Sequence, residues 1–237
     1  AYSASADARP MTAADLATLN RVAAPAASAD GRYIVYQMTQ TQAGSYERTT
    51  GLWILDRSIK NAAPTRLTSE GTNASSAAFG VDGQIYYLSG GQIWRTTPAG
   101  GTPAQVSKTT AEISGFKISP DGTRLLIWGD VPMACADFGC DEDKSDQSQG
   151  TGRHYKDGVG FVRHWDSWET PGTHSRIFVL NLADGQASVA RPISAGLVGD
   201  APSKPFGGGE ELAWGPDSRT VYFTMRKADR DEPTSTN

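Results

Sequence analysis

One short phrase recurs four times in this 237-residue chain, and it commits the backbone to tight antiparallel turns. The copies read Ala26-Ala27-Ser28-Ala29-Asp30-Gly31, Phe79-Gly80-Val81-Asp82-Gly83, Ile118-Ser119-Pro120-Asp121-Gly122 and Trp214-Gly215-Pro216-Asp217-Ser218. An apolar run comes after each copy: Tyr33-Ile34-Val35-Tyr36, Ile85-Tyr86-Tyr87-Leu88, Leu125-Leu126-Ile127-Trp128 and Val221-Tyr222-Phe223. Asp-Gly accepts the positive φ of a tight hairpin turn, and β-branched and aromatic residues suit the pleated surface beyond it. A phrase that returns at this spacing is the mark of a propeller or a solenoid.

Each complete unit reads as four strands. The first holds the Asp30-Gly31 hairpin, then Leu52–Asp56, then Thr65–Thr68. The second holds the Asp82-Gly83 hairpin, Gln92–Arg95, the turn Pro98–Gly101, and Ala104–Ser107. The third begins at Ile113 and resumes at Arg176–Leu182, the turn Ala183-Asp184-Gly185, and Ser188–Ile193. Asp30, Asp82, Asp121 and Asp217 lie 52, 39 and 96 residues apart, and an insertion over 130–173 accounts for the long last interval. Four antiparallel strands per repeat of about forty to fifty residues is a β-propeller blade. The expected fold is therefore all-β. Residues 1–11 read as disordered and Thr12–Leu19 as a short helix opened by a capping box with Asp15 in the place of Glu. The partial propeller spans 12–237, with blades over 23–69, 73–109, 113–194 and an incomplete 210–237. A ring needs four to eight blades, so about three and a half read as the first part of a larger propeller.

Hydrophobic content of 38%, with six Trp and eight Tyr, argues for a packed core. Net charge is −4 and no basic stripe appears, which argues against nucleic acid as a partner. No apolar run approaches the ~18 residues of a membrane-spanning helix. The opening Ala1–Ala6 reads as what remains after a signal peptide leaves, although an arbitrary starting point gives the same appearance. In a periplasmic or secreted chain, Cys135 and Cys140 read as a disulfide. A metal site with His154 and the nearby acids, or two inert thiols, are the alternatives.

The blade text resembles PD40 (WD40-like) propeller repeats. Longer phrases narrow the resemblance: Met11–Leu16 with Arg21–Pro25 after it, Phe161–Trp168, and Pro205-Phe206-Gly207-Gly208-Gly209-Glu210. These are similar to phrases in the prolyl oligopeptidase family of serine exopeptidases, in its dipeptidyl peptidase 5-like and acylaminoacyl-peptidase-like branch. The resemblance implies an N-terminal propeller paired with a C-terminal α/β-hydrolase domain carrying Ser, Asp and His. It further implies an enzyme that removes dipeptides or blocked residues from peptide N-termini. This sequence contains no Gly-x-Ser-x-Gly elbow, the strained turn that presents the nucleophile. The expectation is that the chain supplies no catalytic residue, is inactive alone, and needs a hydrolase domain or fragment to complete it.

His154, His164 and His174 cluster in or beside the insertion. A structural reading outweighs a catalytic one, with Phe161–Trp168 and His174–Leu182 forming a hairpin about Pro171-Gly172. Arg163 would then stack on an aromatic ring or pair with a carboxylate. Glu210 and Glu211 are the better candidates, because an exopeptidase must hold a free α-ammonium group and carboxylates supply the countercharge. They could equally cap a strand or face solvent. Loops joining strands two to three share a propeller face with blade-to-blade connections, so 130–173 and 195–210 are expected at one face. Asp141-Glu142-Asp143 reads as a solvated run. Gly207-Gly208-Gly209 lacks the helix and lysine of a phosphate cradle, and no cofactor or metal is expected.

The expected function is the substrate-gating propeller of an exported serine exopeptidase acting on peptides. A non-enzymatic TolB-like scaffold that binds a protein or peptide is the alternative. An open edge at Thr220–Met225 is expected to drive self-association.

Overall fold

The computed structural model describes residues 9–140, 163–164, 167–168, 173–188, 190–204 and 206–227. Most of the expected disordered segment, the acidic run 141–143, His154, Phe161, Val162, Trp165, Asp166 and the tail beyond Lys227 lie outside them. The chain divides into two compact units, residues 1–77 and 78–237.

In the first unit, Thr12 caps helix α1 (Ala13–Thr18). Its hydroxyl accepts from the Asp15 amide at 3.2 Å while its own amide donates to Asp15 Oδ2 at 2.8 Å, closing the capping box. Strands β1 (Arg21–Ala27), β2 (Tyr33–Thr41), β3 (Arg48–Asp56) and β4 (Thr65–Arg66) form one antiparallel sheet in that order. Val35 and Leu52 are its fully buried side chains.

The next sheet runs β5 (Ser75–Phe79), β6 (Ile85–Ser89), β7 (Gln92–Thr97) and β8 (Gly100–Gln105). The third has β9 (Gly115–Ile118) beside β10 (Arg124–Pro132). Two further strands, β11 (Arg163–His164) and β12 (Ser167–Trp168), pair only with each other among the described residues. The long β13 (Thr173–Ala183) then returns to the third sheet and pairs with β10 along its length, from Arg124↔Asn181 to Pro132↔Thr173. This corrects the expected hairpin of 161–168 with 174–182 about Pro171-Gly172. The apolar run of β13 finds its match in the apolar run of β10, across the whole insertion.

The third sheet's outer strand is split into β14 (Gln186–Ala187) and β15 (Arg191–Pro192), both paired to β13. Pro192 has no N–H to give, so it is confined to such an edge. Beyond it, β16 (Gly199–Asp200) pairs with β19 (Arg226–Lys227), and β17 (Leu212–Trp214) pairs with β18 (Val221–Phe223). Four-stranded antiparallel sheets in series, each opened by the same turn, are propeller blades.

Both faces of the third sheet are covered. Leu125, Ile127, Val131, Phe178 and Leu180 pack with Tyr86, Leu88 and Ile93 of the second sheet. Leu126, Ile177 and Val179 pack with Leu212, Trp214 and Phe223 of β17 and β18. Alternate residues of β10 and β13 thus enter two different cores, and for that reason their sequences show unbroken apolar runs instead of alternation.

The recurrent phrase has one geometry in all four copies. The Asp side chain accepts the amide two residues on: Arg32 at 3.0 Å, Gln84 at 3.1 Å, Thr123 at 2.9 Å and Arg219 at 2.9 Å. The next residue takes positive φ, 68° at Gly31, 74° at Gly83, 73° at Gly122 and 57° at Ser218. Ser218 departs from glycine because its hydroxyl accepts the Asp121 amide at 3.0 Å and its carbonyl accepts Arg124 Nη1 at 2.7 Å. The serine stitches the fourth turn to the third. Replacing it with Gly relieves about 1–2 kcal/mol of left-handed strain but removes a hydrogen bond worth about 1 kcal/mol. Ser218→Ala loses the bond and keeps the strain, so equilibrium denaturation should rank Ala below Gly.

Candidate functional site

The turn-opposite end of the third sheet gathers the polar groups that best fit a binding site. The strand ends at Asp130 and His174 meet the connection that runs from β16 to the 3-10 turn Gly209–Glu211. His174 Nδ1 lies 3.4 Å from Asp200 Oδ1, and Lys204 Nζ lies 2.9 Å from Asp130 Oδ1. The Ser175 amide donates to Asp200 at 2.8 Å, and the Ala201 amide donates to the Ser175 carbonyl at 2.9 Å. The base of the insertion and the connection therefore share one end of the sheet.

Glu210 and Glu211 occupy this connection but differ in environment. Glu211 accepts the Ser203 amide at 2.6 Å and the Ser203 hydroxyl at 2.8 and 2.9 Å. Its carboxylate ties the two ends of the loop together. Glu210 is exposed. Exposed Phe206, 72% accessible, stands nearby in sequence. Arg163 lies in β11, opposite Trp168. His164 sits opposite Ser167 in the same short ladder.

Cys135 and Cys140 are joined by a disulfide with Cα atoms 5.5 Å apart, which leaves neither sulfur as a thiolate. The loop they close is anchored from within. Arg176, only 6% accessible, donates Nη1 to the carbonyls of Pro132 at 3.1 Å and Cys135 at 2.8 Å. Its guanidinium lies 5.1 Å from the Phe178 ring, and Phe178 meets Phe138 edge to face at 5.1 Å. Sequence patterns alone assign no role to Arg176, Ser203 or Asp200. Arg176 carries a usable signal, since it shares its strand face with Phe178 and Leu180 and so points into a core.

Burial of the Asp200 carboxyl works against its ionisation. The hydrogen bonds from His174 and the Ser175 amide, with Lys204 nearby, outweigh it and hold the carboxyl below its ordinary value. A depressed carboxyl stabilises the fold above its unfolded value of about 3.9 and loses that contribution as pH falls through the lower folded value. Wild type should therefore exceed Asp200→Asn in stability at neutral pH. Denaturation midpoints of the two proteins should converge in acid below about pH 4.

Four-stranded blades in series define a propeller, and a polar loop cluster lies at one end of its third sheet. By sequence the chain is similar to one part of dipeptidyl peptidases, in keeping with the resemblance to the prolyl oligopeptidase family. It is 30% identical over 217 residues to dipeptidyl-peptidase 5 of Porphyromonas gingivalis, covering 89% of this chain and 30% of the relative. It is 26% identical over 225 residues to dipeptidyl-peptidase 5 of Porphyromonas endodontalis, covering 92% and 31%. The chain thus spans under a third of the length of these curated relatives. In fold it is similar to AtxE2 isopeptidase, with a TM-score of 0.50 at 16% identity, covering 78% of this chain and 32% of that one. No protein-family model matches the chain.

Proposed function

We propose that this chain is the substrate-gating propeller portion of an exported serine exopeptidase of the dipeptidyl- or acylaminoacyl-peptidase type. The observation that carries this reading is the 30% identity with a dipeptidyl peptidase across 89% of the chain. A disulfide in the 130–140 loop supports an oxidising compartment. In this reading a hydrolase domain supplies the Ser, Asp and His, and the propeller face limits access to short peptides. The chain alone is inactive because it brings no nucleophile elbow.

Within this reading the α-ammonium group of the substrate meets Glu210. Glu211 already spends its oxygens on Ser203, whereas Glu210 is open to solvent. In the complete peptidase, Glu210→Gln should raise KM for a free-amine dipeptidyl reporter about tenfold, the cost of one charge-assisted hydrogen bond. An N-acetylated reporter should be untouched. The founding test is performed on the protein from its native host. A species much heavier than 25.2 kDa that cleaves dipeptidyl or acyl-aminoacyl reporters and is labelled by a fluorophosphonate establishes the peptidase. A 25.2 kDa species without activity or label leaves a TolB-like binding scaffold as the account.

A further inference from the structure

At the other end of the strands, where the Asp-Gly turns lie, the second and third sheets enclose a cleft of about 440 Å³. Along β13 about 30 Å separates it from His174. Its walls are Val81, Ile118 and Leu182, and its polar groups are Arg95, Tyr86 and Asp82, with Asp184 at the lip. Val81 is 71% accessible, an apolar side chain held open to solvent.

The glycines of two turns shape this cleft. A Cβ at Gly122 would fall 2.3 Å from the Val81 side chain, and one at Gly185 would fall 2.0 Å from the Arg95 guanidinium. Both have positive φ, 73° and 72°, so the bare backbone is pressed against each side chain. Arg95 is half-buried; it donates Nη2 to the Asp184 carbonyl at 3.3 Å and also interacts with the Tyr86 hydroxyl. A guanidinium has five N–H donors, so Arg95 retains donors for an anion. Tyr86 is pushed up to about 12 by burial and by its hydrogen bond to Asp82, and it stays a neutral phenol. Its hydroxyl donates to Asp82 at 2.9 Å and lies beside Arg95, which places a cation and a carboxylate on either side of one phenol oxygen.

A simple carboxylate would meet Arg95 but also the negative charges of Asp82 and Asp184. A simple amine would meet Asp82 but also Arg95. A ligand carrying both charges on one carbon satisfies both, and a peptide terminus carries only one of them. We infer that this cleft binds a free α-amino acid with an apolar side chain: carboxylate on Arg95, ammonium on Asp82, side chain among Val81, Ile118 and Leu182. Asp82 has oxygens to offer, since the Gln84 amide and the Tyr86 hydroxyl take one position on each.

The test is a titration of the isotopically labelled 237-residue chain with L-leucine, isovalerate and isoamylamine, read by amide chemical shifts and calorimetry. L-leucine should bind, move the Gly83, Gly122 and Gly185 amides, and outbind isovalerate and isoamylamine. Arg95→Gln should weaken it about tenfold or more, the loss of a charge-assisted hydrogen bond. Asp82→Asn, which keeps an Asx acceptor in the turn, should weaken it as well and gives a second reading if Arg95→Gln fails to fold. Absent binding, shifts confined to other residues, equal binding of isovalerate, or unchanged affinity in a folded variant would each overturn the inference. None of these outcomes depends on peptidase activity.

Discussion

Phe178→Ala should cost about 3–5 kcal/mol of unfolding free energy, the range for a fully buried aromatic truncated in a core. Phe178 has no accessible surface and sits where second- and third-sheet side chains interleave. Its ring takes the edge of Phe138 on one side and the Arg176 guanidinium on another. Truncation opens a void that the third sheet cannot fill by moving, because the opposite face of β10 and β13 is packed in a second core. Chemical denaturation of the chain measures the effect, with Tyr222→Ala as the contrast. Tyr222 is 62% accessible, and its removal should change stability by about 0.5 kcal/mol or less. A Phe178→Ala cost below about 1 kcal/mol would mean that the two sheets do not share one core.

Arg176→Met should destabilise by about 2–4 kcal/mol, because the stem survives while two carbonyls lose their donor. The Pro132 and Cys135 carbonyls define the start of the disulfide loop, so the same change should also raise the rate at which a reductant opens Cys135–Cys140. Burial lowers the Arg176 proton affinity, yet a guanidinium remains charged throughout the working range. The stability loss should accordingly be flat between about pH 5 and pH 9. Reduction kinetics, monitored by thiol titration, distinguish a strap from a bystander. Equal opening rates in both proteins would show that Arg176 does not hold the loop.

The inner parts of each blade were legible because their signals are local. The Asp turns, the runs beyond them and the Thr12 cap are each complete within a few residues. The outer strands were placed, at Thr65–Thr68, Ala104–Ser107 and Ser188–Ile193, but their bounds were not. Thr65–Arg66, Gln186–Ala187 and Arg191–Pro192 are two residues long, too short to carry a period. A hydroxyl residue just C-terminal to the outer strand helps to fix it. The Leu52 amide donates to buried Thr68 and the Ile93 amide to buried Ser107, an apolar residue and then a hydroxyl at each blade's end. Leu67-Thr68, Val106-Ser107 and Ile193-Ser194 show that this signal was present in the sequence.

The insertion misled for a related reason. Pro171-Gly172 is a strong local turn signal, but the partner of β13 is chosen by matching nine residues of β10 across the insertion. In the candidate site, Glu210 and Glu211 were visible as an adjacent pair. Their difference was not, since Ser203 reaches Glu211 from eight residues away and no short pattern announces it. His174 and Asp200 meet because the first residues of β13 lie against β16, an adjacency no local pattern announces.

The closed geometry of the recurrent turn also bears on the order in which the chain acquires structure. Each turn is satisfied by residues within about six positions: Ser28 with Tyr33, Gly80 with Gln84, Ser119 with Arg124, Gly215 with Thr220. Such hairpins form on the microsecond scale from contacts local in sequence. The β10–β13 ladder must instead close the full insertion, and loop-closure entropy adds about 0.6 kcal/mol with each doubling of length. Assembly is thus expected to begin at many turns at once and to wait on a single long-range pairing. The third sheet, which contributes to both cores of the second unit, is then the last to close and the one whose closing makes the unit cooperative.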